Sequence, residues 1–136
     1  MDEGEIAMKA KMEKLEDDVV VVALSGRVEI ENAEPFYHAC VQSFSKFSEN
    51  VIFNMEKLSF VGSNGITPFV KAIVELSRAK EDQLKFCKVS SEFKKIFAAS
   101  PLQEVEIFET QQDALDAVAK VEELVQENDL SYFPKS

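Results

Sequence analysis

The run Val19-Val20-Val21-Val22-Ala23-Leu24 limits what this chain can fold into more than any other segment. Branching at Cβ restricts the χ1 rotamers of valine and favours extended backbone over helix. A strand with one face in water alternates apolar with polar residues. This run does not alternate, so both of its faces need cover. Strands of that kind belong to parallel sheets flanked by helices, which makes an α/β architecture the first expectation. The same run is the longest apolar stretch in the chain and falls far short of the roughly 20 residues that cross a bilayer.

The segments on either side extend that reading. Residues Ile6 to Leu15 alternate loosely and lead through Glu16-Asp17-Asp18 into the valine run, as a hairpin would. Gly26 is expected to break the strand, and a polar loop with Glu29, Glu31 and Asn32 precedes a helix that starts near Glu34-Pro35. On that helix Phe36, Tyr37, Cys40, Val41, Phe44 and Phe47 share one face, and His38 lies opposite. A strand over Val51 to Met55 follows, then a loop from Lys57 to Asn64. The next helix has Ile66, Phe69, Val70, Ile73, Val74 and Ser77 towards the core. Gln83 to Val89 reads as a strand, and Ser90 caps a short helix to about Ala99. Val105 to Phe108 reads as a last short strand. Thr110 caps a final helix to about Gln126, with Leu115, Val118, Ala119, Glu122 and Val125 along one side. The expected fold class is therefore α/β, a mixed and mostly parallel sheet with an N-terminal antiparallel hairpin and about four helices.

With 136 residues the chain suits one domain, expected over residues 6–126, with 127–136 as a C-terminal tail in which Leu130, Tyr132 and Phe133 are candidate docking residues. Twenty-five acidic against 15 basic residues give a net charge of -10, which repels phosphate backbones and anionic lipid. Nucleic acid and membrane insertion are thus poor expectations. The acidic start Met1-Asp2-Glu3 is unlike a secretion signal, and a cytoplasmic location is expected. Cys40 and Cys87 sit in no metal-ligand spacing and are expected as buried reduced thiols, with no metal site and no cofactor.

In open parallel sheets, binding sites collect where loops leave the carboxyl ends of strands. Three segments qualify here: Gly26 to Asn32, Leu58 to Gly65, and Val89 to Ser91. The middle one carries two glycines around Ser63 and Asn64, both good helix caps, ahead of a helix whose positive end would face an anion or a carboxylate. Strand-to-helix turns use such residues whether or not anything binds. Neither G-x-G-x-x-G nor G-x-x-x-x-G-K-[ST] occurs, so this is no nucleotide loop. Nucleophilic catalysis would need a base beside a serine or cysteine, and the lone His38 is expected on the outer side of its helix. No enzymatic activity is expected.

Leu24-Ser25-Gly26-Arg27-Val28, the helix beginning Asn32-Ala33-Glu34, and above all Leu58-Ser59-Phe60-Val61-Gly62-Ser63-Asn64-Gly65-Ile66 resemble the STAS domain, shared by anti-sigma factor antagonists and the cytoplasmic parts of sulfate transporters. The likeness runs from about residue 6 to 126, with Gln112 to Val118 similar to the family's closing helix. It implies a docking module without catalytic activity. In the antagonist branch the loop before the second helix typically reads Asp-Ser-Ser-Gly and is phosphorylated by a partner anti-sigma kinase. Aligned on Gly65, the aspartate falls at Gly62, the first serine at Ser63 and the second at Asn64. With the second serine taken as the acceptor, Asn64 removes the phosphate switch while keeping a neutral helix cap; the alternative is that Ser63 takes over as a substitute acceptor.

The resemblance thus implies a partner-binding loop of Gly62, Ser63, Asn64, Gly65 and Thr67, flanked by Glu29, Glu31 and Asn32. The expected partner is an anti-sigma factor or a related kinase-like regulator, and the negative charge suits a basic patch upon it. Two other classes stay open. One is a structural STAS subunit of a transport or stress-sensing complex, and the other is a sensor of a nucleotide or small anion.

Overall fold

The computed structural model describes residues 8–15, 19–44, 50–60, 66–80, 83–102 and 105–119. Among them five strands form one sheet in sequential order: β1 (Lys9–Leu15), β2 (Val19–Val28), β3 (Asn50–Phe60), β4 (Leu84–Cys87) and β5 (Glu106–Phe108). β1 lies antiparallel to β2 at one edge, and every other pairing is parallel. The helices are α1 (Ala33–Ser43), α2 (Ile66–Lys80), α3 (Ser91–Ala98) and α4 (residues 111–119), with a 3-10 turn at Ile30–Asn32 before α1. The α/β sheet with its N-terminal hairpin is the architecture the sequence pattern implies.

Alternation along the strands divides the core in two. Val20, Val22 and Leu24 of β2, Val51 and Phe53 of β3 and Phe86 of β4 face α1, α2 and α3 in the larger cluster. Val19, Val21, Ile52 and Cys87 face the other way, onto Ala114 and Val118 of α4. The uninterrupted valines are explained by this double cover. Phe53 is fully buried and lies at the centre of the larger cluster, with its ring centroid 5.9 Å from that of Phe36, 6.3 Å from Phe44 and 5.6 Å from Phe86. Phe86 continues the chain of rings to Phe97 at 5.2 Å. Ring pairs at such separations add to the burial of apolar area.

β2 and β3 are longer than the sequence pattern suggests. Gly26 does not end β2. It stays within the strand at a φ of 87°, a left-handed value that only glycine adopts without a Cβ clash. β3 likewise runs through Lys57 and Leu58 to Phe60, where a loop was expected. The register shifts by one residue between Ala23↔Asn54 and Ser25↔Lys57, and the bulge lets pairing resume on the same faces as far as Val28↔Phe60.

Smaller departures have packing causes. Val41 is exposed, because α1 is seated on Ala33, Phe36 and Cys40, with Tyr37 and Phe44 joining from the described part of the predicted stripe. On α2, Ala72 and Leu76 are buried, whereas Ser77 is half-buried with its hydroxyl donating to the Val74 carbonyl at 2.8 Å. β4 does not alternate: Leu84, Lys85, Phe86 and Cys87 are all buried, and the strand is shorter than 83–89. The ammonium of Lys85 reaches its register partner Glu106 at 3.1 Å, which meets the need of a buried charge for a counter-ion. Ala119 is exposed on α4. Ser90 and Thr110 cap as expected, accepting from the amides of Phe93 at 3.3 Å and Asp113 at 3.0 Å. Phe47, Glu122, Val125, Leu130, Tyr132 and Phe133 lie outside the described residues.

Two substitutions probe this core and strand. Phe53→Ala is expected to lower unfolding stability by about 3–5 kcal/mol through a cavity at the centre of the ring cluster, and Gly26→Ala by about 1–2 kcal/mol through its left-handed backbone. Denaturant unfolding followed by circular dichroism measures both, with the m-value unchanged.

Candidate functional site

Parallel pairing sends β2 and β3 out of the sheet at the same edge. Their last register pair is Val28↔Phe60. After Val28 the chain enters the 3-10 turn and α1; after Phe60 it reaches α2 at Ile66. The 3-10 turn packs against both helices. Its conformation is fixed by three bonds: the Glu29 amide donates to Asn32 Oδ1 at 2.8 Å, the Asn32 amide donates to the Glu29 carbonyl at 2.9 Å, and Arg27 Nε donates to Glu29 Oε2 at 3.0 Å. The Ser59 hydroxyl points across the strands to the Gly26 carbonyl at 3.4 Å.

Glu31 and Ile30 stand exposed on this turn, and Ile30 is 60% exposed. Thr67 is exposed on the first turn of α2. Gly62, Ser63, Asn64 and Gly65 lie outside the described residues, between two ends that are described. The flanking residues Glu29, Glu31 and Asn32 and the first turn of α2 are thus brought to one edge. Glu29 and Asn32 serve the internal bonds of the turn, so of the three expected flanking residues Glu31 is the one turned to solvent. Arg27 and Ile30 were not singled out from the sequence. The two-residue spacing of Arg27 and Glu29 along extended backbone was the available signal for the first, and an isoleucine between glutamates in a polar loop for the second.

The third segment expected at this edge is tied to the sheet. Lys88 takes a φ of 59°, and its amide donates to the Phe108 carbonyl at 3.1 Å, so the chain turns at once into the Ser90 cap of α3. On the opposite sheet face, Asn54 Nδ2 donates to Gln111 Oε1 at 2.9 Å and holds the first turn of α4 beside the bulge.

Catalytic groups are not gathered at this edge among the described residues. His38 is exposed on α1 with Nε2 3.8 Å from Glu34 of the same helix. Both cysteines are free and buried. Burial pushes the Cys40 thiol up to about 12 and the Cys87 thiol up to about 11, the latter lowered somewhat by Lys88 and raised by Glu56. Neither is a nucleophile at neutral pH. No group of three or more histidine, cysteine, aspartate or glutamate side chains among the described residues could hold a metal ion. No helix among them is long and apolar enough to cross a membrane.

The family model of the STAS domain matches residues 10–114. The chain belongs to the STAS domain family. Solved structures agree on the fold of this STAS domain. SpoIIAA, an anti-sigma factor antagonist in its unphosphorylated form, superposes with a TM-score of 0.67 at 23% identity, covering 82% of this chain and 97% of that one. An anti-sigma factor antagonist from Mycobacterium paratuberculosis gives a TM-score of 0.64 at 18% identity over 83% of this chain and 95% of that one. The murine anion transporter Slc26a9 gives 0.57 at 18% identity, covering 80% of this chain and 21% of the transporter. No curated protein matches the sequence significantly.

Two outcomes follow from these groups. Asn32→Ala removes the acceptor of the Glu29 amide and is expected to cost about 1 kcal/mol, with faster hydrogen exchange confined to the 3-10 turn. The thiols set an alkaline limit. Because the folded pKa of Cys40 lies above the ordinary 9.0, its contribution is complete below pH 9 and is lost as the pH rises towards 12 and the unfolded chain ionises first. Unfolding midpoints should be insensitive to this group at neutral pH and fall above pH 9, less steeply in Cys40→Ala.

Proposed function

We propose that this STAS domain is a non-catalytic, cytoplasmic regulatory module that docks a protein partner, an anti-sigma factor or a related kinase-like regulator, through the carboxyl edge of its sheet. The observation that carries the reading is the pairing of Val28 with Phe60, which starts the 3-10 turn and the connection to α2 from adjacent positions. Gly62, Ser63, Asn64, Gly65 and Thr67 form the centre of the docking surface, and Glu31 stands beside it. The net charge of -10 favours a basic face on the partner and faster association at low salt. Similarity of fold to SpoIIAA and to the mycobacterial anti-sigma factor antagonist supports this class of partner.

Phosphorylation adds nearly two negative charges and three acceptor oxygens, enough to eject a docked partner by repulsion and desolvation. Asparagine cannot accept a phosphate, so position 64 does not carry such a switch. Ser63 is the one hydroxyl residue from Gly62 to Gly65, and a phosphate acting within this stretch has to act there. The transporter likeness supports a second reading, a STAS subunit docked on a fixed neighbour in a transport complex.

The test is affinity capture from native cytosol with wild type, Asn64→Ser and Asn64→Asp, followed by mass spectrometry. A sigma-regulating or kinase-like protein retained by wild type and Asn64→Ser but lost with Asn64→Asp is the expected result. Identical retention by all three would show the segment to be a helix cap only, and recovery of a membrane transport complex would favour the second reading. Phosphopeptide mapping after kinase treatment then locates any modification at Ser63.

A further inference from the structure

Ile30 is the most exposed large apolar side chain among the described residues, at 60%, and it belongs to neither core cluster. A single apolar residue in water is ordinary on a protein surface. The setting of this one is not. It lies two residues past Val28, where β2 last pairs with β3, on a turn that is bonded to itself and packed against α1 and α2. Bonding within that turn falls to Glu29 and Asn32, and burial to Val28 and Ala33 on either side. Ile30 is held outward by a frame that its neighbours build.

The charges around it are of one sign. From Val28 to Ser45 the sequence has three glutamates, Glu29, Glu31 and Glu34, with one histidine and no lysine or arginine. Arg27 offsets Glu29 at 3.0 Å, whereas Glu31 and Glu34 are exposed. The sequence from Phe60 to Val70, which leads from β3 into α2, carries no charged residue. An isoleucine among carboxylates selects its occupant. Nucleic acid and anionic lipid are repelled by the glutamates. A second copy meeting the same turn about a two-fold axis would set Glu31 and Glu34 against their equivalents. A protein pocket with an apolar floor and a rim of lysine or arginine meets both features, since the floor takes Ile30 out of water and the rim faces the carboxylates. The turn is already ordered before binding, so little conformational freedom is lost there.

We infer that Ile30 is the apolar anchor of the docking edge and enters a pocket on the partner protein that is apolar at its floor and basic at its rim. The inference rests on the docking reading above and adds to it the residue that holds the partner and the chemistry of the surface it meets. Two roles at the edge are thereby separated. Glu31 and Glu34 speed the approach, and Ile30 slows release.

Photocrosslinking in native cytosol, followed by binding kinetics with the purified partner, tests this. With p-benzoylphenylalanine in place of Ile30, the chain is expected to cross-link to a protein that wild type also captures, within an apolar surface bordered by lysine or arginine. The same group in place of Val41, near the far end of α1, should not reach that protein. Ile30→Ala should weaken binding to the purified partner by at least about tenfold, mainly through faster dissociation, with Ile30→Val close to wild type and Val41→Ala unchanged. Glu31→Gln should instead slow association at low salt. Thermal unfolding of Ile30→Ala should match wild type, because the side chain is exposed, and this separates loss of the anchor from loss of fold. Ile30→Ala that binds as wild type does, while Asn64→Asp abolishes binding, overturns this inference and leaves the docking edge standing. Cross-links from position 30 only to this chain or a second copy overturn it too, as does a cross-linked surface bordered by acidic residues. Wild type that captures no partner overturns both readings.

Discussion

Parallel pairing between β2 and β3 is the contact on which the rest of this STAS domain depends. It begins at Val19↔Asn50, continues past a one-residue shift and ends at Val28↔Phe60. Its lower half supplies both cores, since alternate residues of β2 and β3 face α1, α2 and α3 on one side and α4 on the other. Its upper half supplies the candidate edge. Without the bulge opposite Ala23 and Ser25 and the left-handed Gly26, the strands would part earlier, and the 3-10 turn would leave the sheet away from the connection to α2. A local backbone irregularity thus fixes a long-range placement.

Part of that edge is stiff. The 3-10 turn is bonded to itself through Glu29 and Asn32, braced by Arg27 and packed on two helices. Its exposed residues, Ile30 and Glu31, are therefore presented from a pre-organised frame, which would reduce the ordering cost of the proposed docking. Between Phe60 and Ile66 the sequence places a valine, two glycines, a serine and an asparagine. In the proposed docking, the net charge of -10 would add long-range attraction for a basic partner.

Much of the fold was legible in the sequence because its strongest signals are local. The unbroken valines required cover on both faces, and Ser90 and Thr110 marked helix starts by their capping chemistry. What the sequence concealed depends on neighbours. Gly26 reads as a strand end from its type alone, and only pairing with Leu58 reveals it as a strand residue with positive φ. The burial of Lys85 depends on Glu106 arriving from the next strand. Val41 fits the apolar periodicity of α1, yet it faces solvent because the helix is seated on Ala33, Phe36 and Cys40. At the candidate site, the family motif pointed to the connection before α2, and the rule that sites gather at the carboxyl ends of parallel strands pointed to Glu29, Glu31 and Asn32. The division of labour among those three, two bonding inward and one outward, follows from hydrogen-bond geometry that no spacing rule encodes.

Hydrogen–deuterium exchange of the chain, alone and in complex with a partner recovered from cytosol, tests the central claim of a docking edge most directly. Protection gathered on residues 29–32 and on the stretch from Phe60 to Thr67, with α3 and the outer side of α4 unchanged, is the expected result. Protection confined to α3, α4 or the β5 edge, with the carboxyl ends of β2 and β3 exchanging as in the free chain, would contradict it.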